Sequence, residues 1–170
     1  IRSAANQIFT VGDGATAISL ITVTSTGASQ ITAANDIRIT ISTTTTNFRW
    51  DTSDTLATIS GSGHVSTTVS YENGSSTLVV NVLTDFANAS SVTISDLSFR
   101  DFNAINVATA TLRLFKDGAA DASSDASDTR TVTIRGRLEL AGHSAGQESD
   151  KFATSSSATR EDVFASPLFP

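Results

Sequence analysis

The chain has 170 residues, of which 39% are hydrophobic, 6% aromatic and 16% charged, and this size and composition describe one domain. Ser and Thr are abundant and Lys is scarce, a bias that suits β-strand surfaces and excludes an all-α fold. The net charge of −6 with scattered basic residues argues against nucleic acid as a partner, and zero Cys excludes thiol catalysis, zinc–thiolate sites and disulfides.

Apolar and polar residues alternate with a period of two along the whole chain, a pattern that predicts β-strands. In one such run Ile37, Ile39 and Ile41 share a face, while Arg38 and Thr40 share the other. The predicted strands cover residues 7–11, 17–24, 36–42, 48–51, 56–60, 65–72, 77–83, 91–99, 108–115, 131–140 and 163–169.

An Asn73-Gly74 pair separates two of these strands, and both residue types readily adopt the positive φ values of a tight hairpin turn. We therefore predict a β-hairpin around residues 71–76. Many short strands, without the helices that parallel crossovers need, fit two packed antiparallel sheets. The predicted fold class is an all-β, immunoglobulin-like Greek-key β-sandwich with a C-terminal extension strand.

The composition changes near the end of the chain. Residues 1–140 carry the alternating pattern, residues 141–160 are rich in Ser, Ala and Gly, and residues 161–170 form an apolar segment. We predict a sandwich domain, a linker and a terminal strand in that order. The terminal strand contains four large apolar side chains, each about 1.5–3 kcal/mol more stable when buried than in water. They are Val163, Phe164, Leu168 and Phe169.

The terminal strand has two candidate docking places. It could cover an edge of its own sandwich, or it could add as a strand to a neighbouring copy, where backbone hydrogen bonds provide affinity. A linker of about twenty residues is long enough to reach a neighbour. We favour exchange between copies, which makes the four apolar residues a subunit interface.

Several stretches resemble β-sandwich modules that are repeated in large secreted bacterial surface proteins. The resemblance rests on VGDGATAIS at 11–19, ITAANDIRI at 31–39, WDTSD at 50–54 and VSTTVSY at 65–71, within a span of residues 7–135. In addition, GHSAGQESDKF at 142–152 is similar to the stretch that opens a following module in such arrays. Modules of this kind are structural and adhesive, so the resemblance implies a surface protein without catalytic residues.

Candidate catalytic groups are few. The only histidines are His64, beside a turn, and His143, in the predicted linker, and no Gly-x-Ser-x-Gly elbow accompanies them. Carboxylate pairs for glycoside hydrolysis usually work beside aromatic platforms, whereas this chain has one Trp and one Tyr. We therefore expect no enzymatic activity and interpret both histidines as solvated loop residues.

The densest polar cluster is an acidic loop between two predicted strands. Calcium binds six to eight oxygen ligands and could use such carboxylates. Their spacing differs from that of an EF-hand loop, however, and no Glu completes the set, so a solvated acidic turn is the favoured interpretation. The four candidate calcium ligands are Asp117, Asp121, Asp125 and Asp128.

Two further features have both a functional and a structural interpretation. Trp50 could stack on a sugar ring, or it could pack with Phe48 in the sandwich core, which is the favoured interpretation. Asn73 and Asn88 each begin a glycosylation sequon in a predicted turn, a short sequence that polar chains also produce by chance.

Together these features predict a secreted, non-catalytic subunit that polymerises head to tail into an extracellular filament or surface layer. The expected partner is a second copy of the chain, and no apolar run is long enough for a membrane helix. The first residue is Ile1 rather than Met, which removal of a signal peptide would explain. The alternative is a calcium- or glycan-binding adhesin module with a surface glycan as partner. Apart from calcium, we expect no cofactor.

Overall fold

The computed structural model describes residues 1–42, 47–105, 109–118 and 123–137. These residues contain fourteen β-strands and no helix. The prediction of an all-β fold is confirmed. Among these residues there is no helix long and apolar enough to cross a membrane. They belong to one unit, Ile1–Arg137, and the predicted linker and terminal strand lie outside the described residues.

The strands are short, with two to eight residues each. In chain order they are β1 (Arg2–Ser3), β2 (Gln7–Thr10), β3 (Thr16–Ala17), β4 (Ile21–Thr24), β5 (Ile37–Ile41), β6 (Arg49–Trp50), β7 (Thr58–Gly61), β8 (Val65–Glu72), β9 (Thr77–Val82), β10 (Ser91–Ser95), β11 (Ser98–Arg100), β12 (Leu112–Phe115), β13 (Ala126–Ser127) and β14 (Val132–Arg135).

One layer is a four-stranded antiparallel sheet with the order β1-β4-β10-β7. Ile21 and Val23 of β4 are fully buried, as are Val92 and Ile94 of β10. Since successive side chains of a strand point to opposite faces, the intervening Ser and Thr residues lie on the outer face of this sheet.

The other main layer is a five-stranded antiparallel sheet with the order β13-β12-β5-β9-β8. The three Ile residues of β5 are buried, whereas Arg38 and Thr40 between them are half-buried on the outer face. The buried faces of the two main sheets belong to one hydrophobic core. This arrangement is that of a β-sandwich; the immunoglobulin-like Greek-key connectivity stays a prediction.

The predicted hairpin is confirmed, because β8 and β9 pair antiparallel with Glu72 opposite Thr77. Its loop has four residues, and Asn73 and Gly74 have φ values of 54° and 63°. Asn73 Nδ2 also donates a hydrogen bond of 3.1 Å to Thr77 Oγ1, which ties the first loop residue to the start of β9.

Two smaller sheets complete the sandwich. One has the order β3-β11-β6, and the other pairs β2 with β14. The β2–β14 pair is parallel, with Gln7 opposite Val132 and Thr10 opposite Arg135. It is the one exception to the antiparallel pairing within the described strands. It pairs a strand near the beginning of the domain with its last described strand. No crossover helix is needed, because β3 to β13 separate the two strands along the sequence.

The aromatic residues gather in one part of the core. Phe99 is fully buried, and its ring centroid lies 4.7 Å from that of Trp50, 5.0 Å from that of Phe48 and 6.0 Å from that of Phe9. Phe102 stacks on Phe9 with a centroid separation of 4.6 Å. These edge-to-face and stacked contacts link the strands of both smaller sheets to the core.

Two predictions of a single continuous strand were wrong, because the structure has two strands in each place. The predicted strand 91–99 becomes β10 and β11, because Asp96 has a φ of 61° that interrupts the extended backbone. The predicted strand 17–24 becomes β3 and β4, because Ile18 N still donates to Leu97 O whereas Leu20 O already accepts from Ala4 N. One straight strand cannot pair in both sheets, so the backbone bends between them.

We expect Phe99→Ala to lower the free energy of unfolding by about 3–5 kcal/mol, because it removes a fully buried ring and leaves a cavity among three others. Leu83→Ala is the matched control: Leu83 is 58% exposed, so its truncation should change stability by less than about 0.5 kcal/mol. Urea unfolding measures both. A loss for Phe99→Ala no larger than for Leu83→Ala would contradict the packing described here.

Candidate functional site

The acidic loop between β12 and β13 is organised around one lysine. Lys116 Nζ lies 2.7 Å from Asp125 Oδ1 and 3.5 Å from Asp117 Oδ1, and Lys116 N donates to Asp125 Oδ2 at 2.8 Å. The side-chain hydrogen bond to Asp125 raises the pKa of Lys116. Partial burial alone would raise the pKa of Asp125, but the hydrogen bonds from Lys116 outweigh it and lower that pKa. An ammonium group therefore occupies the place where a cation would bind these carboxylates.

Asp128 has a different role from its neighbours in the sequence. It is only 4% exposed, its Oδ2 accepts a hydrogen bond of 2.8 Å from Ser3 N, and its Oδ1 accepts one of 2.9 Å from Arg130 N. The carboxylate thus fastens β1 to the turn before β14. Because both of its oxygens accept hydrogen bonds from backbone amides, Asp128 has a structural role.

Of the four predicted calcium ligands, Asp117, Asp125 and Asp128 lie among the described residues. Asp121 lies outside them, and no group of three or more His, Asp or Glu side chains in the described ranges is arranged to hold a metal ion. Beside the loop lies a polar cleft of about 500 Å³. It is lined by Ser29, Gln30, Thr32, Asn35, Lys116, Asp117 and Asp125.

Trp50 lies in the core and has no exposed surface. A sugar stacks on an aromatic ring only where a face of the ring is accessible, and here Phe99 packs against the indole at a centroid distance of 4.7 Å. Core packing, the favoured interpretation, is therefore confirmed, and the alternative of Trp50 as a glycan platform is wrong. Phe48 is also buried, and both rings contact Phe99.

The predicted glycosylation sites lie in exposed turns. Asn73 is in the β8–β9 loop and Asn88 is in the segment before β10; both are exposed. This placement makes both side chains accessible, and their modification stays a prediction. His64 is likewise exposed, immediately before β8, whereas His143 and the interface residues Val163, Phe164, Leu168 and Phe169 lie outside the described residues.

Sequence analysis missed a cluster of charged residues where β6 and β11 pair. Arg49 and Arg100 are opposite each other in this pair, and Arg49 Nε lies 3.0 Å from Asp101 Oδ2. Arg100 Nη1 lies 3.6 Å from Oδ1 of Asp51, a carboxylate that is only 6% exposed. Asp51, Arg100 and Asp101 border a cleft of about 470 Å³. Only the pairing of β6 with β11 brings these charges together. The sequence does not reveal that pairing, because both strands are short and lie far apart along the chain.

Asp51 is the most buried carboxylate of this cluster. Its Oδ1 accepts a hydrogen bond of 3.0 Å from Ser53 N. This hydrogen bond outweighs the effect of burial and, together with Arg100, lowers the pKa of Asp51. The cluster holds the ends of β6 and β11 together through ion pairs.

No family model, curated protein or solved structure matches this chain. The resemblance to bacterial surface modules accordingly stays a prediction from the sequence.

We expect millimolar calcium to leave the melting temperature unchanged, since Lys116 already pairs with the two described carboxylates nearest to it. A calcium site occupied at a hundred times its dissociation constant would instead add about 2.7 kcal/mol to the stability. Differential scanning calorimetry with calcium, and with magnesium at equal ionic strength as the control, measures the difference. An increase in melting temperature specific to calcium would contradict the solvated-turn interpretation.

The lowered pKa of Asp51 predicts a pH-dependent contribution to stability. A carboxylate whose pKa is lower in the folded state stabilises the fold fully above its unfolded value of 3.8, and the stabilisation disappears as the pH falls through the folded value. We therefore expect Asp51→Asn to be less stable than the wild type at neutral pH, and the difference to shrink below pH 3.8. Urea unfolding across pH checks this; a difference independent of pH would contradict it.

Proposed function

We propose that the chain is a non-catalytic structural subunit of an extracellular filament or surface layer, and that its C-terminal strand adds to a neighbouring copy. The observation that carries the proposal is an available sheet edge. Strand β7 ends the four-stranded sheet, and its ladder in the described part of the chain is the one with β10. Unpaired backbone N–H and C=O groups along such an edge are a template for a further strand.

The side chains of β7 leave that edge accessible. Thr58, Ser60 and Gly61 are exposed, and Ile59 is half-buried. The preceding segment turns to the other sheet, where Ala57 N donates to Thr67 O. Since small side chains do not obstruct an approaching backbone, an incoming strand could extend the four-stranded sheet beside β7.

The sequence supplies a donor with suitable properties. Residues 161–170 combine four large apolar side chains with two prolines, Pro167 and Pro170, that limit how far a strand ladder extends. Residues 138–160 separate this segment from the end of the described unit. A flexible chain of that length has an end-to-end distance of about 25 Å, comparable with the width of a small domain, so the segment can reach a neighbouring copy.

Strand addition of this kind gives a polymer without further components. Each subunit would donate its C-terminal strand to one neighbour and accept a strand from another. The two contacting surfaces differ, and a heterologous contact that does not close into a ring produces an open filament or array. Secretion and the surface location are part of this proposal.

The alternative function is a calcium- or glycan-binding adhesin module. The observation that favours it is the polar cleft beside Lys116, whose lining offers hydroxyl, amide, carboxylate and ammonium groups to a polar ligand. Two observations weigh against it: the ion pair of Lys116 with Asp125, and the burial of Trp50. We therefore prefer the structural subunit.

Replacing Val163, Phe164, Leu168 and Phe169 together by Ser should abolish polymer formation, because the donor strand then has no apolar side chains to bury. The matched control replaces Glu161 and Asp162 by Ala, which keeps the apolar residues and should keep the polymers. Electron microscopy and sedimentation measure polymer length, and thermal melting verifies that the sandwich remains folded. A synthetic peptide of residues 161–170 should also shorten wild-type polymers. Normal polymers from the Ser variant would refute strand addition.

A further inference from the structure

The outer faces of the two main sheets differ in their chemistry. On the five-stranded sheet the outer face is charged: Arg113 of β12 is opposite Thr40 of β5, and Arg38 of β5 forms a two-bond ion pair with Glu72 of β8. Arg38 Nε lies 2.9 Å from Glu72 Oε2. A surface of this kind interacts strongly with water and with counterions.

The outer face of the four-stranded sheet instead carries hydroxyl groups on β4, β7 and β10, together with one charged side chain, Arg2 of β1. Thr22 of β4, Thr93 of β10 and Ser60 of β7 form one row across three strands. Ser91 is opposite Thr24, and Ser95 is opposite Thr58. We call this set the hydroxyl face. Its members are Thr22, Thr24, Thr58, Ser60, Ser91, Thr93 and Ser95, all of them exposed or half-buried.

The hydroxyl face has no partner among the described residues. None of its seven side-chain hydroxyls makes a hydrogen bond within the described part of the chain. The charged residue on β1, Arg2, lies beside Thr22 at one margin of the face. At another margin is Leu20, a large apolar side chain that is 42% exposed and whose carbonyl accepts a hydrogen bond from Ala4 N.

We propose that the hydroxyl face is a lateral contact between two copies of this chain, an inference that rests on the proposed function as a structural subunit. The chain has a net charge of −6, so most pairs of surfaces would repel each other when two copies approach. The hydroxyl face carries no carboxylate, so two such faces meet without this repulsion. Their small side chains allow two sheets to approach closely, form hydrogen bonds between copies and cover Leu20.

The size of the face determines how strong this contact can be. The three strands that carry it, β4, β7 and β10, lie about 4.8 Å apart and have four to five residues each, so the face presents roughly 200 Å² on each copy, whereas a stable interface needs about 800 Å². One contact is therefore weak. In a filament the contact is repeated along two neighbouring polymers, and repeated weak contacts add up to a stable association.

A second copy fits this face better than a polysaccharide does. Sugar-binding surfaces use exposed aromatic rings as stacking platforms, and the hydroxyl face contains none. The one Trp of the chain lies in the core. A glycan would find hydroxyl groups here but no ring on which to stack.

The test compares two variants of the full chain that add one negative charge each. Thr93→Glu places the charge on β10, in the centre of the hydroxyl face, and Asn81→Glu places it on β9, at an exposed position of the five-stranded sheet. Both strands are flanked by two others, but Thr93 is paired on both sides whereas Asn81 is exposed beside the irregular pairing of β8 and β9. Thermal melting verifies that both variants remain folded. Ser60→Glu, on the exposed edge strand β7, serves as a second variant if Thr93→Glu fails to fold.

We expect Thr93→Glu to weaken self-association by at least about tenfold, because two like charges then meet at the contact. Asn81→Glu should change it by less than about twofold, since its charge remains in water and is screened. Sedimentation equilibrium measures the dissociation constant of the unpolymerised fraction. Equal effects of the two variants, no effect of Thr93→Glu and Ser60→Glu, or a wild type that does not self-associate would each overturn the proposal.

Electron microscopy separates this inference from the proposed function. If strand addition holds, Thr93→Glu should give single filaments of normal length where the wild type gives filaments side by side. If the wild type forms no filaments, strand addition fails, and sedimentation still tests the hydroxyl face. A Thr93→Glu variant that loses binding to a polysaccharide but associates normally would overturn the self-contact in favour of a glycan surface.

Discussion

The packing of five aromatic rings connects the smaller sheets of the sandwich to its core. Phe9 enters the cluster from β2, Trp50 from β6 and Phe99 from β11, and Phe48 and Phe102 complete it. Since β2 pairs with β14, the last strand of the described domain depends on the same packing. Residues 138–170, which include the apolar segment, follow this strand in the sequence. The position from which a terminal strand would reach a neighbour is therefore fixed by the core and not by surface contacts.

Charge is unevenly distributed over this frame. Ion pairs tie Arg38 to Glu72 on one outer face and Arg49 to Asp101 where β6 and β11 pair, whereas the opposite outer face carries hydroxyls. The proposed strand addition uses backbone groups at a sheet edge, and the proposed lateral contact uses the hydroxyl face, whose members include no carboxylate. Both rely on surfaces where a second copy of an acidic chain can approach closely.

Alternation revealed the strands whose two faces have different environments. It predicted β5, β8 and β9 to within a residue, because one side of each packs in the core. It did not reveal the bends at Asp96 and before Ile21, since these depend on which sheet receives the chain. The role of Asp128 was inaccessible for a similar reason: its partner Ser3 is 125 residues away in the sequence. Composition identified the acidic loop. Only the fold shows that Asp117 and Asp125 pair with Lys116 and that Asp128 accepts hydrogen bonds from backbone amides.

The central claim is that the terminal strand of one copy docks on another copy. A photo-reactive residue in place of Phe164, in an equimolar mixture of isotope-labelled and unlabelled chains assembled together, tests it directly. Mass spectrometry then shows whether each cross-link joins peptides of the same or of different isotopic composition. Docking on a neighbour predicts that about half of the cross-links join labelled to unlabelled peptides, with β7 and its surroundings as the acceptor. Cross-links that are all within one isotopic composition would show that the strand covers its own sandwich and would contradict the account.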